Sequence, residues 1–191
     1  MGKASRSNPN VKLLALPVLQ DRSCSACTAC CEVLQVDELR KPARQLCEHA
    51  KPAPGGSCGI WGDRERQPPL CRAWHCLWRK GMGAEEERPD QSGVMLQPSV
   101  GYIPGTKQLG ISAHELRPGA LDEPATRAYL ERIADGRTVY GVRPLRSCYV
   151  DDEGNPRVGV VVDERARTKY LLIVKGPYEG PYITNIPEEE I

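Results

Sequence analysis

The eight residues CSACTACC, from Cys24 to Cys31, carry four thiols. Sulfur at this density serves crosslinking, metal ligation or redox chemistry. Cys47, Cys58, Cys71 and Cys76 follow, so that eight of the nine cysteines fall between Cys24 and Cys76 and only Cys148 lies outside. A C-x2-C pair such as Cys24/Cys27 lets two thiolates converge on one ion from a tight loop, the geometry of zinc knuckles and iron–sulfur loops alike. Cys30 and Cys31 are neighbours, and adjacent side chains diverge. Either one of them is a ligand, or the two serve separate centres. Eight thiols suffice for two four-cysteine sites, or for one site with spare thiols, and the spacing alone does not pair them.

Crosslinking is the weakest of the three. The longest apolar stretch, Leu13 to Leu19, contains Pro17 and is far shorter than the ~20 residues a membrane span needs. Lys3, Arg6 and Lys12 precede it, as in a signal peptide, but the chain continues Gln20-Asp21-Arg22 with no small-x-small cleavage site. Arg6 also stands where a myristoylation pattern wants Ser or Thr. A cytoplasmic location is therefore expected, and reducing conditions with an odd cysteine count argue against a disulfide framework. The net charge of +1 gives no general electrostatic reason to expect nucleic acid or a membrane surface as a partner. A metal ion or cluster is the expected partner of the thiols.

The elements that must hold these cysteines are short. Pro42, Pro52, Pro54, Gly55, Gly56, Gly59, Gly62, Pro68 and Pro69 punctuate the region. A loop-rich segment with few large aliphatic residues does not offset its chain entropy unaided, so metal binding is expected to supply folding free energy. The expected organisation is an N-terminal extension over 1–20, a cysteine-rich metal-binding region over 21–81, a linker over 82–92, an α+β module over 93–187 and an acidic tail over 188–191. The first region should hold two short helices, one over CEVLQVDELRK from Cys31 and one over CRAWHCLWRKG ending at Gly81. In the second, VMLQPSVGYI suggests one or two strands and LDEPATRAYLERIADG a helix with Pro124 in its first turn and Leu130 and Ile133 facing inward. SCYVDDEGNPRVGVVVDERARTKYLLIVK reads as two or three strands, with turns at Asp151 to Pro156 and Arg165 to Thr168. The fold class expected is α+β: a loop-rich cysteine-ligated region, then an antiparallel strand meander with one helix against it. All three Trp lie in the first half and all seven Tyr from Tyr102 onward, which hints at two cores.

C-x2-C-x2-C-C, followed by Cys47-Glu48-His49, SCGIWGDR and PPLCRAWHC, resembles the CxxCxxCC family of zinc- or iron-chelating proteins, the YkgJ-type domain. The resemblance covers about residues 20 to 92. It implies a cysteine-bound metal or iron–sulfur centre, and it implies no particular reaction. Members read Arg-Pro ahead of the Cys-Arg-aromatic-x-Cys segment; here Gln67 and Pro68 stand there.

The expected metal ligands are Cys24, Cys27, Cys30, Cys31, Cys47, Cys58, Cys71 and Cys76. A zinc site drawn as two separated pairs would use Cys24/Cys27 with Cys71/Cys76. The run Cys24, Cys27, Cys30 is closer to the C-x2-C-x2-C of bacterial ferredoxins, although Cys31 replaces the x3-C-P ending, and an iron–sulfur cluster is preferred to zinc. His49 and His75 sit beside cysteines but read as surface or packing histidines, and His114 as structural. Cys148 reads as a buried strand thiol. Trp61, Trp74 and Trp78 read as core, and Arg72, Arg79 and Lys80 as a solvated face that could also offset thiolate charge. No nucleotide-binding glycine loop, H-E-x-x-H or serine elbow is present. The expected function is metal handling or electron transfer. The alternatives are a metal-dependent enzyme or enzyme component, and a structural zinc module that presents the second half to a protein partner.

Overall fold

A computed structural model describes residues 15–51, 58–98, 110–134, 139–144, 160–163 and 168–174. Cys148, the Asp151 to Pro156 turn and the acidic tail lie outside the described residues. The elements are α1 (Ala29–Val33), α2 (Pro69–Ala73), α3 (Pro89–Ser92), β1 (Val94–Pro98), β2 (Ile111–Glu115), α4 (Pro124–Ala134), β3 (Val139–Pro144), β4 (Val160–Asp163) and β5 (Thr168–Val174). The class is α+β, with short helices and loops first and the sheet second.

The strands form one sheet in the order β1-β2-β3-β5-β4. β1 pairs antiparallel with β2, β3 with β5, and β4 with β5. β2 and β3 run parallel, with Ile111 opposite Val139 and His114 opposite Val142. The expected antiparallel meander is thus corrected to a mixed sheet. The reason is α4: a helix between two strands of one sheet makes a crossover, and a crossover returns the chain parallel. α4 starts at Pro124, as its sequence dictates, and buries Leu130 and Ile133. β4 and β5 pair antiparallel, as two of the expected strands; of the turn expected at Arg165 to Thr168, residues 165–167 lie outside the described residues.

β1 decides how the two halves meet. Side chains alternate across a strand, and Val94 and Leu96 join Ile111, Leu121, Leu130 and Val139 in the core under α4. Met95, between them, belongs instead to a second cluster with Ala29, Val33, Cys76 and Trp78. The cysteine region packs on the face of the sheet opposite the helix. Backbone bonding locks it there, since Leu77 donates its N–H to the Leu96 carbonyl at 2.9 Å. Leu77 itself reaches into the helix-side core.

The first half departs from the expected helices. α1 begins earlier than expected, at Ala29, and ends at Val33 because Leu34 is extended. Asp37–Leu39 forms a 3-10 turn closed by Arg40 in the left-handed region, with Val36 and Lys41 bridged across it. α2 ends at Ala73 because Trp74 is extended, so CRAWHCLWRKG is a short helix followed by a turn that stops at Gly81, φ 93°. Residues 82–92 carry a 3-10 turn, Glu85–Glu87, and α3. They are tied inward by Trp78 Nε1 donating to the Ala84 carbonyl at 2.8 Å and by an Arg132–Glu87 ion pair.

One side chain clamps the halves together. Arg44 donates to the Glu115 carbonyl at 2.7 Å, to the Val142 carbonyl at 3.1 Å and to His114 Nδ1 at 3.1 Å. A guanidinium only donates, so His114 Nδ1 accepts and the imidazole is neutral with its proton on Nε2. Burial and the Arg44 charge hold the His114 pKa well below 6.5. Unfolded His114 therefore binds a proton that the folded chain refuses, and stability falls as pH drops below about 6.5. Denaturant midpoints measured from pH 7 to pH 5 should decline, and His114→Gln, which keeps an acceptor for Arg44, should flatten the decline. His75 is displaced downward by burial too, so the comparison is between wild type and variant; equal slopes would remove His114 as the cause. Arg44→Ala should lower stability at every pH, by about 1.5–3 kcal/mol for charge-assisted bonds.

Candidate functional site

The CSACTACC segment forms a turn and then a helix start. Cys27 N–H donates to the Cys24 carbonyl at 2.7 Å, with Ser25 at φ 45° between them. α1 then buries Ala29 and Val33 against Trp78 and Met95, which fixes the direction of Cys30 and Cys31. Cys47 is brought back to this segment by its N–H, which donates to the Cys31 carbonyl at 2.9 Å. The Cys47–Ala50 turn carries Cys58 beside it through a bridge between Ala50 and Cys58 and a 2.8 Å bond from Gly59 N–H to the His49 carbonyl. Cys71 sits on α2, introduced by Pro68 and Pro69. Extended Trp74 redirects the chain before Cys76.

These segments enclose a cavity of about 400 Å³ lined by Cys24, Cys27, Cys30, Cys31, Cys47, Cys58 and Cys71. Cys76 is buried behind it, packed with Cys27 and Cys30 around Trp78 and Met95. The fold therefore draws all eight cysteines of the segment into one region. All eight are free thiols. Among the described residues no three His, Cys, Asp or Glu side chains converge tightly enough to hold one ion; the thiols surround a space rather than a point. Neither His49 nor His75 lines it. His49 lies 3.5 Å from Glu48 instead.

The cations around the cavity are the part that spacing does not reveal. Lys41 is 6% exposed, and its ammonium donates to the carbonyls of Glu32 and Pro42, at 3.1 and 3.0 Å, and of Leu34. Burial lowers its pKa, while Cys47, Cys31 and other thiols raise it. Arg22 stacks over Trp78 and donates to the Trp78 and Gly83 carbonyls at 2.6 Å each. Arg79, expected on a solvated face, instead lines the cavity with its Nε–H buried and without a partner among the described residues. Gln67 lines it too, 3% exposed; its Oε1 accepts from Gly62 while its amide nitrogen is unpartnered among the described residues. Lys41 carries no sequence signal beyond its position before Pro42, since a buried lysine is rare enough to go unexpected. Trp78 is core as expected, whereas Trp74 lines the cavity and Trp61 lies at its edge, 59% exposed.

Thiol acidity varies sharply over this small space. Burial raises the pKa of Cys24, Cys58, Cys71 and Cys76 and pushes Cys27 up to about 12. The doublet is split: Cys30 donates to Cys31, which holds Cys30 well above 9 and, with help from Lys41, brings Cys31 down to about 7. The thiolate is the reactive form. In metal-free, reduced protein at about pH 7.5, brief iodoacetamide treatment should modify Cys31 well before Cys27, as read by peptide mass spectrometry. Lys41→Met should slow the Cys31 reaction. Equal labelling of Cys27 and Cys31 would contradict the split.

The donor set itself selects a chemistry. Among the described residues, sulfur supplies the ligating groups of the cavity wall, with no Asp, Glu or His lining it. Hard cations such as calcium and magnesium take oxygen ligands, whereas thiolates suit zinc and iron–sulfur centres. The two buried donors without partners, on Arg79 and Gln67, border a space where thiolate sulfur would accept from them. The residues fit a soft-metal centre by donor type, burial and surrounding charge. The chain matches no family model, no curated protein and no solved structure. Among the described residues no helix is long and apolar enough to cross a membrane.

Proposed function

We propose that this chain is a cysteine-ligated metal-binding protein of the CxxCxxCC type, holding an iron–sulfur cluster in preference to zinc and acting in metal handling or electron transfer in the cytoplasm. The observation that carries the reading is the convergence of seven thiols, from segments as distant in sequence as Cys24 and Cys71, on one cavity with no carboxylate or imidazole in its wall among the described residues. Neutral thiols would pack in the core like small hydrophobes; lining a cavity beside Lys41, Arg22 and Arg79 serves no packing need. Bound there, a soft metal would be held by thiolates from Cys24, Cys27, Cys30, Cys31, Cys47, Cys58, Cys71 and Cys76. It would supply either redox chemistry or a structural crosslink. The protein's own residues would bury that centre, place cations beside its negative charge and keep water from it on the Met95 side.

Metal analysis of protein purified without oxygen tests this. The iron–sulfur reading expects brown protein with iron and acid-labile sulfide together, bleaching on reduction. Cys24→Ser or Cys27→Ser should abolish the colour, because a hydroxyl holds such centres poorly. Colourless protein with stoichiometric zinc and no sulfide, prepared with ample iron and never exposed to air, would replace iron–sulfur with zinc. Protein holding no metal under either regime would end the metal-binding reading.

A further inference from the structure

The cysteine constellation divides along a seam that runs through the Cys30–Cys31 peptide bond. On one side, Cys27, Cys30 and Cys76 pack around Trp78 and Met95, the surface that rests on the sheet. Cys24 is held over them by its turn to Cys27, and Arg79 lies beside it. On the other side, Cys47 is bonded through its backbone to Cys31, and the turn that follows it is bridged to Cys58. The main charge neighbours of Cys71 are Cys31, Cys58 and Cys47, and those of Cys58 include Cys31 and Cys47. For Cys76 the nearest thiol influence is Cys24, and for Cys27 it is Cys24 and Cys76. Cys31 is linked to both groups, through Cys30 and Cys24 on one side, as its place on the seam requires.

Resting on the metal-binding reading above, we propose that the cavity and its wall hold two four-thiolate centres, one from Cys24, Cys27, Cys30 and, behind the wall, Cys76, and the other from Cys31, Cys47, Cys58 and Cys71. Each set supplies four thiols, the ligand number of a closed soft-metal site, which binding would draw together from around the space they now surround. The doublet sits on the division, its two thiols hydrogen-bonded to each other, and gives one sulfur to each set. Extended Trp74 separates Cys71 and Cys76, which lie close in sequence but on opposite sides of the seam. Each set also has its own cation. A dication held by four thiolates retains two negative charges; Arg79 stands beside Cys24 and Cys76 of the first set, and Lys41 beside Cys47, Cys31 and Cys71 of the second as well as Cys30 at the seam. The cavity volume of about 400 Å³ exceeds what one ion among four thiols fills, since even a water's share of the liquid is only about 30 Å³.

Zinc alone, added to the reduced full-length chain, is a sufficient probe, because a four-thiolate set binds it whichever metal is native. Wild type should take up two equivalents and protect all eight cysteines from iodoacetamide. Cys71→Ala should retain one equivalent, with Cys24, Cys27, Cys30 and Cys76 still protected while Cys31, Cys47 and Cys58 become labelled. Cys76→Ala should give the converse pattern. One equivalent in wild type with four cysteines protected overturns the two-centre assignment and leaves metal binding standing. Both variants losing all zinc, or Cys71→Ala exposing Cys24 or Cys27, likewise places the ligands in one shared site. Wild type that binds no zinc, and carries no iron when purified without oxygen, fails at the earlier reading rather than at this one.

Discussion

Sulfur can be buried as thiol or as metal-bound thiolate, but not as many free thiolates together, and that constraint governs the first half of the molecule. Cys27, pushed up to about 12 by burial, will not ionise unaided near neutrality. Each thiol that loses its proton raises the cost for its neighbours, as the influence of Cys31, Cys58 and Cys47 on Cys71 shows. Lys41 offsets one charge, and its three carbonyl partners hold it in a place where lysine is otherwise disfavoured. Arg22 is already committed to carbonyls and to the Trp78 ring. Among the described residues, the cations lining the cavity are thus fewer than the thiols they face. The protein alone can keep only a minority of these sulfurs ionised, and under the proposed function a bound metal would offset the charge of the rest.

The sheet supplies the rigidity that the loops lack. α1 and α2 have five residues each, too short to be stable by their own hydrogen bonds. They hold their places because Ala29, Val33, Cys76 and Trp78 close over Met95, and because Leu77 pairs with Leu96. Arg44 adds a charged clamp from the same loops to β2 and β3. The strand that bears Met95 on one face carries Val94 and Leu96 into the α4 core on the other. Distortion of the cysteine loops is therefore resisted by the same strand that anchors the hydrophobic core.

The parts of this arrangement that sequence reveals are those with a short-range signal. Pro124 and the spacing of Leu130 and Ile133 announce α4, and the run of valines and the Tyr-Leu-Leu-Ile-Val stretch announce β4 and β5. The eight cysteines are legible as a group from their density in the sequence, and the fold brings them into one region. The parallel pairing of β2 with β3 is not legible, since the strand Val139–Pro144 contains Gly141 and ends in proline and so carries a weak pattern. Helix ends inside the cysteine region also escape, because Leu34 and Trp74 turn extended for tertiary reasons, the first beside the Lys41 carbonyl cage and the second at the cavity wall. Lys41 and Gln67 owe their roles to burial, which their residue types do not advertise.

In the surroundings of the cysteines, spacing and geometry part company. Spacing offers Cys24/Cys27 with Cys71/Cys76, because C-x2-C and C-x4-C look like two halves of one site. In the fold, the four residues between Cys71 and Cys76 include the end of a helix and a change to extended backbone, which swings the second cysteine under Trp78. At the doublet, Cys30 packs on the sheet side and hydrogen-bonds across to Cys31, which lies toward Cys47 and Lys41. Two environments result within one wall: the first is backed by Met95 and Trp78, the second is built from loops and borders the exposed Trp61. Desolvation strengthens every charge interaction on the first side, and exchange with solvent is easier on the second. Eight sulfurs of one residue type thereby become two unequal sets, distinguished by what stands behind them.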